Sequence, residues 1–391
     1  MKSTPPDGTS SSHAFSRRTS TSSGRAGRGA GGTDRGAPPP PARRTRRGLS
    51  GLYRTAERER VQALEEGAVG HHYAVWDGDG GPGRLLPEGL PKGLAREFAA
   101  TGQNAALFRA CMRDLWARVR AAGGADADAD GPRNFLVGGP RGAGKSVALA
   151  CLAAWARESG WIALYVPSAQ AFVKGGVYVE DEATEMWDTP ESATGVLRGM
   201  LDAHEADLEG VPTRVSAGQL GLGEASSLAD VVRAGLESHA RAVPAALLLC
   251  SELLRVTEKP VLVCVDDYNA LFGLTEYYEA LSVNYAARIP AHYLRMVAAF
   301  RWLEHPPLAN GAVVCGTSTN VGVRQDLEVP NPRGVAYEIG PYDRDEVDQV
   351  VRHYSEAGVF DVPATNRQML NGLQHLTRGR GASLRELAPS L

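Results

Sequence analysis

The stretch Asn134-Phe-Leu-Val-Gly-Gly-Pro-Arg-Gly-Ala-Gly-Lys-Ser-Val147 decides how the chain is read. Within it, Gly139 to Ser146 satisfies G-x-x-x-x-G-K-[ST] in full. Asn134–Val137 is a short apolar strand candidate ahead of the glycines. Behind them Ala148, Cys151, Leu152 and Trp155 recur at helical spacing until Gly160, a natural stop. Strand, glycine loop and helix is the order a phosphate cradle needs. Glycines let successive backbone N–H groups turn inward, the helix N-terminus adds its dipole, Lys145 bridges outer phosphates as a point charge, and the Ser146 hydroxyl ligates Mg²⁺. The expected contact set is Gly139, Pro140, Arg141, Gly142, Ala143, Gly144, Lys145, Ser146 and Val147. A side chain at Gly144 should close the cradle.

Such a loop needs a buried strand ending in an acid. Pro260-Val-Leu-Val-Cys-Val265 is a continuous apolar run suited to a central parallel strand, and it leads into Asp266-Asp267. Asp266 is the expected Mg²⁺ ligand beside Ser146. Asp267 occupies the place where ATPases of the AAA+ type carry a catalytic glutamate. Aspartate is one methylene shorter, and a misplacement of about 1 Å can cost roughly 100-fold in rate, so slow or absent hydrolysis is expected. Asp267 reads equally well as a turn or cap residue before Tyr268-Asn269.

Two further strands, Trp161–Val166 and Ala312–Cys315, complete a doubly wound parallel sheet of the α/β class flanked by helices, and Val335-Ala-Tyr337 then leads to Ile339. Tyr293, Met296, Val297 and Phe300 mark a helix before the second of them. Thr317 and Asn320 lie on the polar tip that follows, where a γ-phosphate sensor would sit, although an ordinary polar loop reads the same way. Asp343 and Glu346 form a capping-box pair opening a helix with Val347, Val350, Val351 and Tyr354 on one face. Leu107, Cys111, Leu115 and Val119 place another helix ahead of the sheet.

Composition narrows the rest. The 391 residues are 43% hydrophobic and 22% charged, which excludes collagenous, coiled-coil and wholly disordered classes, and no apolar run reaches the roughly 18 residues of a membrane span. The net charge of −3 is unevenly distributed: residues 1–48 hold ten basic and two acidic groups, leaving an acidic body of net −11. That body is poorly suited to gripping nucleic-acid backbone, so any such contact should be local. The Arg- and Ser-rich, acid-poor stretch 1–48 reads as a disordered transit peptide for an organelle, or as a solvated basic tail or RNA-touching arm.

Cys111, Cys151, Cys250, Cys264 and Cys315 lack pairing rhythm and read as reduced, buried thiols. His71-His72 has no carboxylate at metal spacing, and the Asp alternation at 126–130 lacks the distant glutamate of a calcium loop. The resulting divisions are 1–48, a helical N-terminal region with an acidic linker at 49–130, a nucleotide-binding domain at 131–340, and a helical lid at 341–391.

Beyond the glycine loop, a series of phrases resembles one family. They are Leu90-Pro-Lys-Gly93, Gly160-Trp-Ile-Ala-Leu-Tyr-Val-Pro-Ser168 with Phe172-Val-Lys174, Trp187-Asp-Thr-Pro190, Val265-Asp-Asp-Tyr-Asn-Ala-Leu-Phe-Gly273, and Pro341-Tyr342 with Glu346 and His353-Tyr354. Over roughly residues 70–391 the chain is similar to the GTP-binding proteins of the mitochondrial ribosomal small subunit, the death-associated protein three family. The resemblance implies an AAA/STAND-like P-loop NTPase fold in the head of an organellar small subunit, in the mitochondrial matrix. It implies GTP or GDP, with ATP as the alternative, held with Mg²⁺ as a largely structural ligand. The implied partners are other small-subunit proteins, limited rRNA and a neighbouring subunit, with no membrane.

The base is not legible: no N-K-x-D element is present. Gly379-Arg-Gly-Ala-Ser-Leu-Arg385 is similar to the second sensor of AAA-type proteins, which would bring Arg385 to the phosphates. The competing reading is an active AAA-like or STAND ATPase acting as switch or motor, with Arg288, Arg295 or Arg301 as a finger for a neighbouring subunit. A death-signalling adaptor role is implied by the family's name alone.

Overall fold

A computed structural model describes residues 66–75, 85–124, 131–214, 218, 225–282, 285–319, 327, 334–360 and 367–387. The basic stretch 1–48, the linker aspartates at 126–130 and Asn320 lie outside these residues. In chain order the elements begin with β1 (His72–Ala74), α1 (Lys92–Thr101), β2 (Ala105–Leu107), α2 (Ala110–Ala121), β3 (Asn134–Gly138), α3 (Lys145–Glu158) and β4 (Ile162–Val166). There follow α4 (Gln170–Val173), β5 (Val179–Asp181), β6 (Met186–Asp188), α5 (Pro190–Glu209), α6 (Leu228–Leu236), α7 (His239–Leu253) and β7 (Val261–Val265). The chain continues through β8 (Leu274–Ser282), β9 (Tyr285–Pro290), α8 (Arg295–Phe300), β10 (Gly311–Gly316), β11 (Gly334–Glu338), α9 (Arg344–Glu356), α10 (Arg367–Thr377) and α11 (Gly381–Leu387).

Five strands form one parallel sheet in the order β11-β3-β10-β7-β4. The apolar runs of β3, β4, β7 and β10 are what a sheet covered on both faces requires, whereas β11 at the edge is half-exposed. The two-residue alternation sorts them by face. Ile162, Leu164, Val166, Val261, Val263, Val265 and Val313 pack into one core cluster with α5, α6 and α7. Phe135, Val137, Ala163, Tyr165, Leu262, Cys264 and Val314 point to the other, against α2 and α3.

An aromatic chain of Phe108, Trp116, Trp155 and Trp161, with centroids 5.3–5.9 Å apart, fastens the N-terminal elements to α3 and to the head of β4. Leu107 belongs to β2 and not to the helix expected there: its neighbours Ala105 and Ala106 pair with β1, and α2 opens three residues later. Leu107 packs instead with Val347, Val351, Tyr354 and Leu384 in a smaller core formed by α9, α10 and α11. The Asp343–Glu346 capping box is present, with both reciprocal bonds made.

Because all five strands run the same way, their C-terminal ends emerge along one edge. Gly138, Val166, Val265, Gly316 and Glu338 each hand the chain to a loop there. Two antiparallel hairpins, β5–β6 and β8–β9, stand outside the sheet. All five cysteines are free; Cys111 is half-buried, the other four are buried, and burial pushes the Cys151 and Cys250 thiols up to about 12.

Candidate phosphate site at the sheet edge

The loop leaving β3 makes a tight cradle. Gly139 has φ +129°, and a Cβ there would overlap the Ile339 carbonyl at the end of β11. Gly142, at φ +80°, lies under the lid: a Cβ would stand 3.0 Å from the Ala382 methyl and 3.6 Å from Arg380 Cβ. Gly144 is the left-handed cap of α3, at φ +101°.

Lys145 is buried at the start of α3, and its Nζ donates to the carbonyls of Gly139 (2.7 Å) and Pro140 (3.1 Å). Burial lowers its pKa, while the Asp266 and Asp267 carboxylates pull the other way. The ammonium is therefore held over the loop by its own backbone.

Asp266 follows β7 and is buried. Burial pushes its carboxyl up to about 6; the Ser146 hydroxyl and the Asp267 N–H (2.9 Å) donate to it and pull it down, while the Asp267 charge adds to the rise. Ser146 and Asp266, far apart in sequence, thus meet. A hydroxyl and one buried carboxylate, with no cluster of three acidic, His or Cys ligands among the described residues, are a poor cage for a lone cation. They suit Mg²⁺ that takes its remaining ligands from water and nucleotide phosphates. The glycine cradle and the buried carboxylate fit that pair of ligands.

Asp267 sits at φ +53°, in the left-handed region. Its Oδ2 accepts from Ser168 Oγ (2.6 Å) and Gln170 Nε2 (2.9 Å), both on the segment after β4. Asn269 exchanges two bonds with the Ser318 backbone, at 2.8 and 2.9 Å, tying this turn to the loop after β10. Thr317 is bound to the Val137 carbonyl through its N–H (2.9 Å) and hydroxyl (3.3 Å).

A family profile described as mitochondrial ribosomal death-associated protein 3 matches residues 124–326, just over half of the chain, from the linker ahead of β3 to beyond β10. The chain belongs to the mitochondrial ribosomal death-associated protein 3 family. No curated protein matches it. Among solved structures it is similar to a chain of the E. coli MS115-1 HORMA:CdnC:Trip13 complex, at 12% identity over 77% of this chain and 78% of that one, with a TM-score of 0.29. Membership makes it a small-subunit protein of the mitochondrial ribosome. No helix among the described residues is long and apolar enough to cross a membrane.

In this family member the second-sensor candidate is engaged within the chain. Arg385 donates to the Gly93 carbonyl (2.9 Å) and lies 3.7 Å from Glu97 on α1. From the same stretch, Arg380, one residue ahead of α11, brings its Cβ close to Gly142. The three finger candidates are all engaged within the chain: Arg295 on Asp188 and Asp181, Arg301 over the Phe272 ring and Arg288 on the Tyr278 hydroxyl.

Sequence reasoning missed Arg109. It is buried, and its guanidinium donates to the Ala143 carbonyl (2.8 Å), to both Glu346 oxygens (2.9 Å each), and to the Gly340 and Pro341 carbonyls, with Tyr342 under its face. One side chain joins the cradle, the end of β11 and the first turn of α9. Nothing local marks it, because every partner but Ala143 lies more than 200 residues away.

Proposed function

We propose that this chain is a nucleotide-holding structural component of the small subunit, binding a guanine nucleotide with Mg²⁺ through Gly139–Val147 and turning it over slowly or not at all. The observation that carries the reading is the Lys145–Ser146–Asp266 constellation: a buried ammonium poised on loop carbonyls, beside a hydroxyl that touches a buried acid. Phosphates would replace the Gly139 and Pro140 carbonyls as partners of Lys145, and Mg²⁺ would take Ser146 and Asp266. The metal would neutralise phosphate charge and relieve the cost of ionising Asp266 in a buried place. Guanine as the base rests on the family resemblance.

The tether of Asp267 supports weak hydrolysis. A carboxylate oxygen already accepting from Ser168 and Gln170 is oriented away from the freedom a water-activating base needs, on a side chain one methylene short. Fixing the cradle, the turn after β7 and the lid around one ligand would rigidify the domain. The added stability follows mass action, about 4 kcal/mol at a thousandfold excess over Kd. The basic stretch 1–48 would serve as the matrix-targeting segment.

The test is to purify the full chain and its Lys145→Ala variant, release bound nucleotide by denaturation and identify it by chromatography. Expected are about one guanine nucleotide per native chain and none in the variant, a Tm raised by GTP with Mg²⁺ but not by ATP, and turnover far below the roughly 1 s⁻¹ of slow working enzymes. Adenine nucleotide with turnover at or above that rate would establish the ATPase reading instead. A variant that assembles into the subunit normally without nucleotide would overturn the structural role.

A further inference from the structure

Besides Leu376, the large apolar side chains exposed among the described residues are Val177, Val179, Leu274, Tyr278, Tyr285 and Tyr293. All lie on β5–β6, on β8–β9 or on the segments flanking them. The two hairpins are locked into one projection. Tyr178 Oη donates to the Tyr278 carbonyl (2.8 Å), Tyr277 Oη donates to the Gly175 carbonyl (2.6 Å), and the Tyr178 ring packs on Tyr277 (4.7 Å) and Trp187 (5.5 Å). Arg295 fastens the base through Asp188 and Asp181. The apolar side chains are thus held out by a braced scaffold, and β8 and β9 pair only with each other among the described strands.

Charge says what covers them. Glu180, Glu182, Glu185, Glu276 and Glu279 are exposed on the same two hairpins. Against them stand Lys174, which donates to Gln170, and Arg288, already on the Tyr278 hydroxyl. An RNA backbone would meet like charge here. A polypeptide carrying Lys or Arg among apolar residues would meet both complements at once, covering the tyrosines and valines and pairing with the glutamates.

We propose that the β5–β6 and β8–β9 hairpins form a docking surface for a basic, apolar-bearing segment of a neighbouring ribosomal protein. The inference rests on family membership and uses no residue of the cradle, so it stands or falls apart from nucleotide binding.

The experiment places a benzophenone amino acid at Tyr278 or Tyr285 of the full chain, assembles it into small subunits in mitochondria, irradiates them and sequences the adducts. Expected at both positions is a cross-link to a ribosomal-protein segment of net positive charge. The double variant Glu276→Lys/Glu279→Lys, whose free chain should melt as the parent does, lowers the yield at least tenfold. Adducts to rRNA, to a second copy of this chain or to nothing overturn the proposal, as does a yield unmoved by charge reversal in a chain that still melts normally.

Discussion

At the C-terminal edge of the sheet Lys145, Asp266 and Arg109 are withdrawn from water, while on the hairpins Tyr278, Tyr285 and Val179 stand in it. Each arrangement is unfavourable by itself. Buried charges cost desolvation, recorded in the depressed Lys145 and elevated Asp266; exposed aromatics forgo roughly 25 cal/mol per Å² of apolar area that could be covered. The compensation differs in kind. Under the readings proposed above, a small ion with phosphate oxygens would complete the first, whereas only a surface the size of another polypeptide would cover the second.

The largest expected effect breaks the first region from outside. Arg109→Ala leaves the half-buried Glu346 without its cation and the Ala143 carbonyl without its donor, so the full chain should lose about 3 kcal/mol in urea unfolding. Arg109→Lys should recover less than half, since an ammonium cannot fork onto both carboxylate oxygens. Wild-type stability in the alanine variant would show that the lid and cradle hold without this bridge.

A middle-sized effect has the opposite sign. The Asp266 carboxyl sits at about 6 in the fold, against 3.8 when free, so the folded state binds more protons than the unfolded one between those values. Stability of the ligand-free protein therefore falls as pH rises through that window and stays low above it. Asp266→Asn should raise the ligand-free protein's stability at pH 7.5 by roughly 2 kcal/mol, while abolishing the Mg²⁺-dependent gain from nucleotide. In the parent, the Mg²⁺ affinity behind that gain should weaken about tenfold per unit below pH 6, which takes about 1.4 kcal/mol per unit from the gain. Melting curves with and without Mg²⁺ and GTP, from pH 5 to 8, check all three.

The smallest effect on stability marks the second region. Tyr278→Ser with Tyr285→Ser should shift the unfolding free energy of the free chain by under about 0.5 kcal/mol, since these side chains are largely solvated, yet reduce incorporation into the subunit. A large loss of stability would make the tyrosines structural and erase the contrast. Quantitative sedimentation beside denaturant titration separates the two.

The sequence shows the first region far more clearly than the second. Four of the five sheet strands announce themselves as apolar runs, because a parallel sheet buried on both faces leaves no polar alternation, while β11 at the edge is half-exposed and ends in Glu338. The glycine loop is local, so Lys145 and Ser146 are legible from spacing alone, and Asp266 from its position after β7. Arg109 is hidden because a single arginine after Phe108 says nothing about Glu346. The contacts of Arg385 are hidden for a related reason: that it meets Gly93, while Arg380 and Ala382 meet Gly142, depends on where α11 begins. The hairpins mix Glu with Tyr and Leu in Leu274–Ser282, and β5 spans only three residues, too few for periodicity to register.

Arg109 also imposes an order in time. Its first partner, the Ala143 carbonyl, is 34 residues downstream, but Glu346 is 237 residues downstream. A chain emerging amino end first, whether from synthesis or through an import pore, can form β3, the glycine loop and α3 long before the carboxylate that neutralises this guanidinium arrives. Until then the outer wall of the cradle carries an unpaired cation, and the lid that rests on Gly142 does not yet exist. The proposed phosphate site is therefore finished last although its motif is made early, and a prematurely ended chain would carry every residue of that motif without the finished cradle.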